Sequence, residues 1–92
     1  MQNVTLALPW KSKDSLLTSD IVIEVLDKIC KKKGIKWRIA GEVVKVDNIA
    51  VRKIEFSNIN IDQNNVNRYQ DELKTSIHAQ CFLHMVEKIA SL

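Results

Sequence analysis

The residues best suited to chemistry in this chain are His78, Cys81 and His84, which share one stretch near the C-terminus. A thiol beside an imidazole can be activated as a nucleophile, and both residue types bind zinc. Neither constellation is complete. A nucleophile also needs an oriented base and an oxyanion site, for which the sequence carries no motif. Three residues on one helix do not make a four-ligand zinc site unless Cys30 or an acid joins them. All three fall within an apolar stripe of ordinary core type, which reads as core or partly exposed side chains. Asp71 and Glu72 are adjacent, and neighbouring helix residues point in different directions, which argues against an acid–base pair. A Gly-rich phosphate loop is missing from the sequence. The expectation is a non-enzymatic protein with no catalytic residue, no metal site and no cofactor.

A second group is basic. Lys31, Lys32, Lys33, Lys36, Arg38, Arg52 and Lys53 are the candidate anion-binding or partner-binding residues, and Lys45 could extend their surface. From Lys28 to Lys53 nine Lys or Arg stand against Glu42 and Asp47, a local charge of +7 within a chain whose net charge is +3. Such a patch could meet phosphates of nucleic acid or of acidic phospholipid. The competing reading is a solvated face, because lysines gather at helix C-termini on dipole grounds alone. Aromatic interleaving of the kind that single-strand binding uses is thin, since Trp37 and Phe56 read as buried.

The elements that would position these groups follow from hydrophobic period. Val4, Leu6 and Leu8 alternate with Asn3, Thr5 and Ala7, a strand expected to stop at Pro9, with Trp10 to Asp14 as a polar connection. A helix should start between Ser15 and Ser19, where Ser15, Thr18 and Ser19 offer capping oxygens. Its apolar face, Ile21, Val22, Ile23, Val25, Leu26, Ile29 and Cys30, covers about half the wheel. Lys31 to Lys33 fill its last turn, and Gly34 followed by Ile35 is a C-terminal stop.

From Ile35 to Ile61 apolar residues recur at every second position in short blocks, the period of half-buried strands. The phase slips at Gly41 to Val43, at Arg52 and Lys53, and at Ser57 and Asn58, each expected to be a turn or a bulge. Asp47 and Asn48 tolerate positive φ and are the best candidates for a tight hairpin turn. Asp62 to Asn65 carry turn and cap chemistry, and a long helical pattern follows. Its first half presents Val66, Tyr69, Leu73 and Ile77, and its second Cys81, Phe82, Met85, Ile89 and Leu92. Steps of four rotate this stripe by about 40° each on a 3.6-residue period. The helix should therefore bend or break near Thr75 to His78, or its halves should face different partners.

These elements predict a single α+β domain over 1–92, a two-layer sandwich with an antiparallel sheet of about four strands, two helices on one sheet face, and the order β-α-β-β-(β)-α. The hydrophobic fraction of 46% argues against disorder, and two glycines and one proline leave little room for linkers. No apolar run reaches the roughly 18 residues of a spanning helix, and MQNVTLALPW lacks the basic and apolar regions of a secretory signal. Cys30 and Cys81 form no CxxC and lie among apolar residues, so reduced thiols and a cytoplasmic setting are expected.

Three stretches resemble one family. DIVIEVLDKICKKKGIKW, Asp20 to Trp37, looks like the first helix and following strand of the kinase-associated C-terminal domains of AMP-activated protein kinase α-subunits. CFLHMVEKIASL, Cys81 to Leu92, resembles their closing helix, and the N-terminal strand with its Lys/Ser-rich connection is also in place. The chain departs from the family in its compact centre and in the early start of its last helix. The resemblance implies a non-catalytic regulatory or scaffold module that docks a protein partner or acidic phospholipid. A second resemblance, through LALPW and ELKTSI in the same element order, is to the small dimerising subunit of the complex that makes threonylcarbamoyladenosine on tRNA, and implies a homodimer. A nucleic-acid-binding protein and a stand-alone inhibitor or immunity-type protein are the other classes open at this point.

Overall fold

The computed structural model describes residues 2–91. The elements run β1 (Gln2–Ser12), α1 (Ser19–Lys33), β2 (Lys36–Ile39), β3 (Val44–Val46), β4 (Ile49–Ile59), a short 3₁₀ turn (Gln63–Asn65) and α2 (Val66–Ala90). This is the predicted α+β architecture, an antiparallel sheet with two helices on one face.

β4 is the central strand. It pairs with β1 along one edge and with β2 and β3 along the other. Since β2 meets Ile54 to Ser57 and β3 meets Ile49 to Val51, the two short strands lie end to end. Between them Ala40 to Val43 span a stretch that Arg52 and Lys53 cover on β4, so the chain bulges outward. Ala40 N–H still donates to the Lys53 carbonyl at 2.9 Å, and Arg52 Nε donates to the Gly41 carbonyl at 2.9 Å. The predicted slip at Gly41 to Val43 is this bulge.

The other slips divide. Asn58 has φ 66°, and the β1–β4 register shifts opposite it, so the ladder takes in one extra residue and Ile59 points inward. At Arg52 and Lys53, by contrast, neither a turn nor a bulge interrupts β4. The strand is continuous, and the change of phase places Ile49 and Val51 on the face opposite Ile54 and Phe56. Asp47 and Asn48, at φ 50° and 69°, form the predicted tight turn between β3 and β4.

Pro9 does not stop the first strand. β1 continues to Ser12, because an edge strand has one side without ladder bonds and tolerates a residue lacking N–H. The register shift between Pro9 and Lys11 accommodates Trp10 as an extra residue, and its ring is buried in the core instead of lying in a polar connection.

α1 begins where Thr18 accepts a hydrogen bond from Ile21 N–H and ends at Gly34, whose φ of 71° is the left-handed stop. Ile35 N–H donates to the Cys30 carbonyl at 3.0 Å, completing the C-terminal motif. Val22, Val25, Leu26, Ile29 and Cys30 bury this helix against Val4, Leu6, Leu8, Ile54 and Phe56. Trp37 is half-buried, not buried as expected. Its indole Nε1 donates to Asp27 at 2.8 Å and ties β2 to α1, which keeps the polar edge of the ring near water.

Ile29→Ala should cost about 2–4 kcal/mol, because it opens a cavity among side chains that cannot all collapse inward. Trp37→Phe keeps most of the packing and removes the indole bond, and should cost about 1 kcal/mol. Urea unfolding of the two variants beside the wild-type chain checks both values and their order.

Candidate protein interface

α2 runs unbroken from Val66 to Ala90, so of the two expected outcomes the bend or break near Thr75 to His78 does not occur, and the two halves face different surroundings. Its stripe rolls instead. Leu73, Ile77 and Cys81 are buried, while Val66, Tyr69 and Met85 pack partly on the core. By Ile89 the rotation of about 40° per four-residue step has carried the stripe off the core, and that side chain is 50% exposed. Phe82 is 61% exposed, with Leu83 at 50% and Val86 at 44%. The second half of α2 thus has an apolar face with no covering element among the described residues. Sequence reasoning placed Phe82 and Ile89 in the stripe of the second half, which was free to face a different partner from the first. The drift of the stripe was the signal that they leave the core. Leu92 lies outside the described residues.

The stripe rolls toward β1. Leu8, Pro9 and Leu17 on one side and Ile77, His78, Cys81, Phe82 and Met85 on the other line an apolar groove of about 370 Å³. Leu17 is held there by a local clasp: its N–H donates to Ser12 Oγ at 2.9 Å, and its carbonyl accepts from Ser12 N–H at 3.0 Å. The groove is therefore built from β1, the connection after it and α2.

Cys81 forms part of the groove floor, and burial pushes its thiol up to about 11. Cys30 is also buried and free. Desolvation, followed by the Asp27 charge, pushes it up to about 11 as well. Both are therefore protonated near neutral pH and poor nucleophiles. His78 lies on the exposed side of α2, and desolvation together with Lys74 holds its pKa below the ordinary value. No group of three or more His, Cys, Asp or Glu suited to a metal ion occurs among the described residues.

The basic candidates are not brought into one patch. Lys31, Lys32 and Lys33 lie in the last turn of α1, where Lys32 and Lys33 border a hollow of about 430 Å³ with Ser76, Ala79 and Gln80 of α2. Lys33 also stands 5.9 Å from the centre of the Tyr69 ring. Lys36, Arg38 and Lys53 belong to the helix-free face of the sheet, and Arg38 is engaged there by Glu55 at 2.6 Å. Arg52 belongs to the opposite face. Its guanidinium lies 5.4 Å from the Trp10 ring and its Nε bonds the Gly41 carbonyl, so its role is to hold the bulge and cover the core. Lys45 joins Lys11 and Lys13 beside a separate hollow of about 370 Å³.

No family model, curated protein or solved structure matches this chain. No helix among the described residues is long and apolar enough to cross a membrane.

The thiols give a direct check on this packing. Against 9.0 for a free cysteine, folded values near 11 mean that the unfolded chain gives up these protons first. The thiol contribution is thus fully present below about pH 9 and lost as pH rises toward about 11. At pH 8 an aromatic disulfide reagent should label both cysteines only at the rate of unfolding, accelerating with urea. Fast labelling of either one in the native protein would show that α1 and α2 are not packed as described.

Proposed function

We propose that this protein is a non-enzymatic interaction module that docks a protein partner through the second half of α2 and the adjoining groove. The observation that carries this reading is the exposure of Phe82, Leu83, Val86 and Ile89 along one helix. Apolar side chains at such spacing form a face that a partner helix or strand can cover, as in groove and coiled-coil recognition. A contiguous apolar patch rimmed by polar residues is the common mark of a binding surface. Both thiols are buried and protonated, which supports recognition by shape over bond-making chemistry.

Contact with acidic phospholipid is a second reading, favoured by one feature. The β3–β4 hairpin exposes Val43, Val44, Val46 and Ile49, with Lys45 among them and Lys11 and Lys13 beside it. Aliphatic side chains and lysines together suit the boundary of an anionic bilayer. Nucleic acid is the weaker fit for the basic residues, since Arg38 and Arg52 are engaged within the fold.

Phe82→Asp should leave the unfolding midpoint nearly unchanged, because the ring is mostly exposed, and should abolish recovery of proteins that the wild-type chain retains from a native extract. Equal recovery by both forms would overturn the reading. Titration against acidic vesicles, RNA and DNA at low and moderate salt separates the alternatives. Salt-sensitive binding that survives Phe82→Asp would transfer the function to the lysines.

A further inference from the structure

The two edges of the sheet are built differently. Along one, the line of β2 and β3 is short, interrupted at Ala40 to Val43 and studded with Lys36, Arg38 and Lys45, devices that discourage another strand from pairing there. Along the other, β1 carries no charged residue from Gln2 to Trp10, and β4 is its one strand partner among the described residues. Its register shows which backbone groups this open edge offers. Lys53 gives its carbonyl to Ala40 N–H at 2.9 Å on the far side of β4, so Ala7, which stands opposite Lys53, has no ladder bond to that strand and turns its own N–H and C=O outward. Alternation along β1 turns Asn3, Thr5 and Pro9 the same way, while Val4, Leu6 and Leu8 bond β4. Pro9 therefore lacks only a donor that the ladder to β4 would not use. No turn, loop or cap bond among the described residues reaches the outward groups of Asn3, Thr5 or Ala7.

Donors and acceptors repeating every second residue, roughly 7 Å apart, match an extended backbone and not a helix, whose own backbone groups are spent internally. The apolar groove lies beside this edge on the helix side of the sheet, between Leu8 and Pro9 of β1 and Phe82 and Met85 of α2. We infer that an extended segment of a different protein adds to the sheet as a strand antiparallel to β1, with every second side chain apolar and directed into the groove. Its residues opposite Thr5 and Ala7 exchange backbone bonds with β1. Those opposite Leu6 and Leu8 share the inner face of the sheet and meet Phe82 and Met85. Main-chain bonds supply affinity in such strand addition, and the groove supplies selectivity for alternate side chains. This inference rests on the reading of α2 and its groove as a docking surface and names the chemistry of its occupant.

Three observations favour a foreign strand over other occupants. A helix laid in the groove would cover Phe82 and leave the outward groups of Asn3, Thr5 and Ala7 unpaired. A second copy would bring its own β1, whose inner side chains Val4, Leu6 and Leu8 are at most 8% exposed in that copy's own core and have nothing left to place in this groove. Charge selects in the same direction. No Asp, Glu, Lys or Arg lines the groove among the described residues, and the adjoining edge is uncharged, so the segment that fits carries apolar residues on one face and neutral polar residues opposite Thr5 and Ala7.

Fluorescence anisotropy on the full chain tests this with a labelled peptide in which leucine and threonine alternate. The peptide should bind saturably, and a control of the same composition with its leucines regrouped at helical spacing should not. N-methylation of the threonine nitrogens, which face β1 when the leucines enter the groove, should weaken binding about tenfold or more, while N-methylation of the leucine nitrogens should change it little. Bound peptide should slow amide exchange at Thr5 and Ala7 and leave Leu6 and Leu8, already bonded to β4, as they were. Phe82→Asp and Ala7→Pro, the second removing an outward N–H, should each weaken binding about tenfold or more at an unchanged urea midpoint. Absence of saturable binding, equal binding of the regrouped peptide or indifference to threonine N-methylation would each overturn the inference. So would exchange at Thr5 and Ala7 that slows with protein concentration in the absence of peptide, which would hand the edge to a second copy. Extract proteins lost on Phe82→Asp but retained by Ala7→Pro overturn the strand and leave the docking reading standing with another occupant, whereas retention by Phe82→Asp removes both.

Discussion

Every strand pairing in this sheet passes through β4. Its ladder holds β1 on one side and both short strands on the other, and Ile54, Phe56 and Ile59 anchor the inner face under the helices. A strand that must satisfy hydrogen bonds along both edges cannot break without releasing three others, so the phase change at Arg52 and Lys53 is absorbed by turning Ile49, exposed, and Val51, half-buried, to the far side of the sheet. The bulges fall on its margins: the outward loop between β2 and β3, the extra residue in β1 at Trp10, and Asn58 near the end of β4. Continuity at the centre pushes irregularity to the margins of the sheet.

The same economy shapes α2. A straight helix whose apolar residues recur every four positions cannot keep them all against a sheet, because the stripe turns steadily about the axis. A kink would realign the stripe at the cost of backbone bonds in a region with neither proline nor glycine. The helix stays regular, Phe82 emerges beside β1, and Ile89 lies off the core in solvent. Burial of Leu73, Ile77 and Cys81 therefore fixes where the exposed half must point. Core and candidate interface are one continuous stripe seen at two depths.

Electrostatics plays a distributed part. Within the run from Lys28 to Lys53, Arg38 is drawn to Glu55, Arg52 to the Gly41 carbonyl and the face of Trp10, and the lysines of α1 to a helix terminus that attracts cations. The charges stand on both faces of the sheet and at a helix end, because strand residues alternate sides and their neighbours claim two of the arginines. What reads along the chain as a single patch becomes several separate positions, one of them, Arg38, paired with Glu55, and Lys11, Lys13 and Lys45 form a small cluster of their own.

By itself the sequence determined most of the architecture. Period-two and helical patterns, a helix start between Ser15 and Ser19, the Gly34 stop, the Asp47–Asn48 turn and the slip at Asn58 are local signals set by backbone sterics and side-chain reach, so they are legible without a fold. The tertiary structure alone decided that β1 is an edge strand and so runs through Pro9, that Arg52–Lys53 is no break, and that Trp37 stays half-exposed on Asp27. It also decided that the stripe of α2 leaves the core toward β1 and that the basic residues part company. The physical reason is common to all of these. Each depends on which neighbour satisfies a hydrogen bond or covers a face, and that neighbour lies far away along the chain.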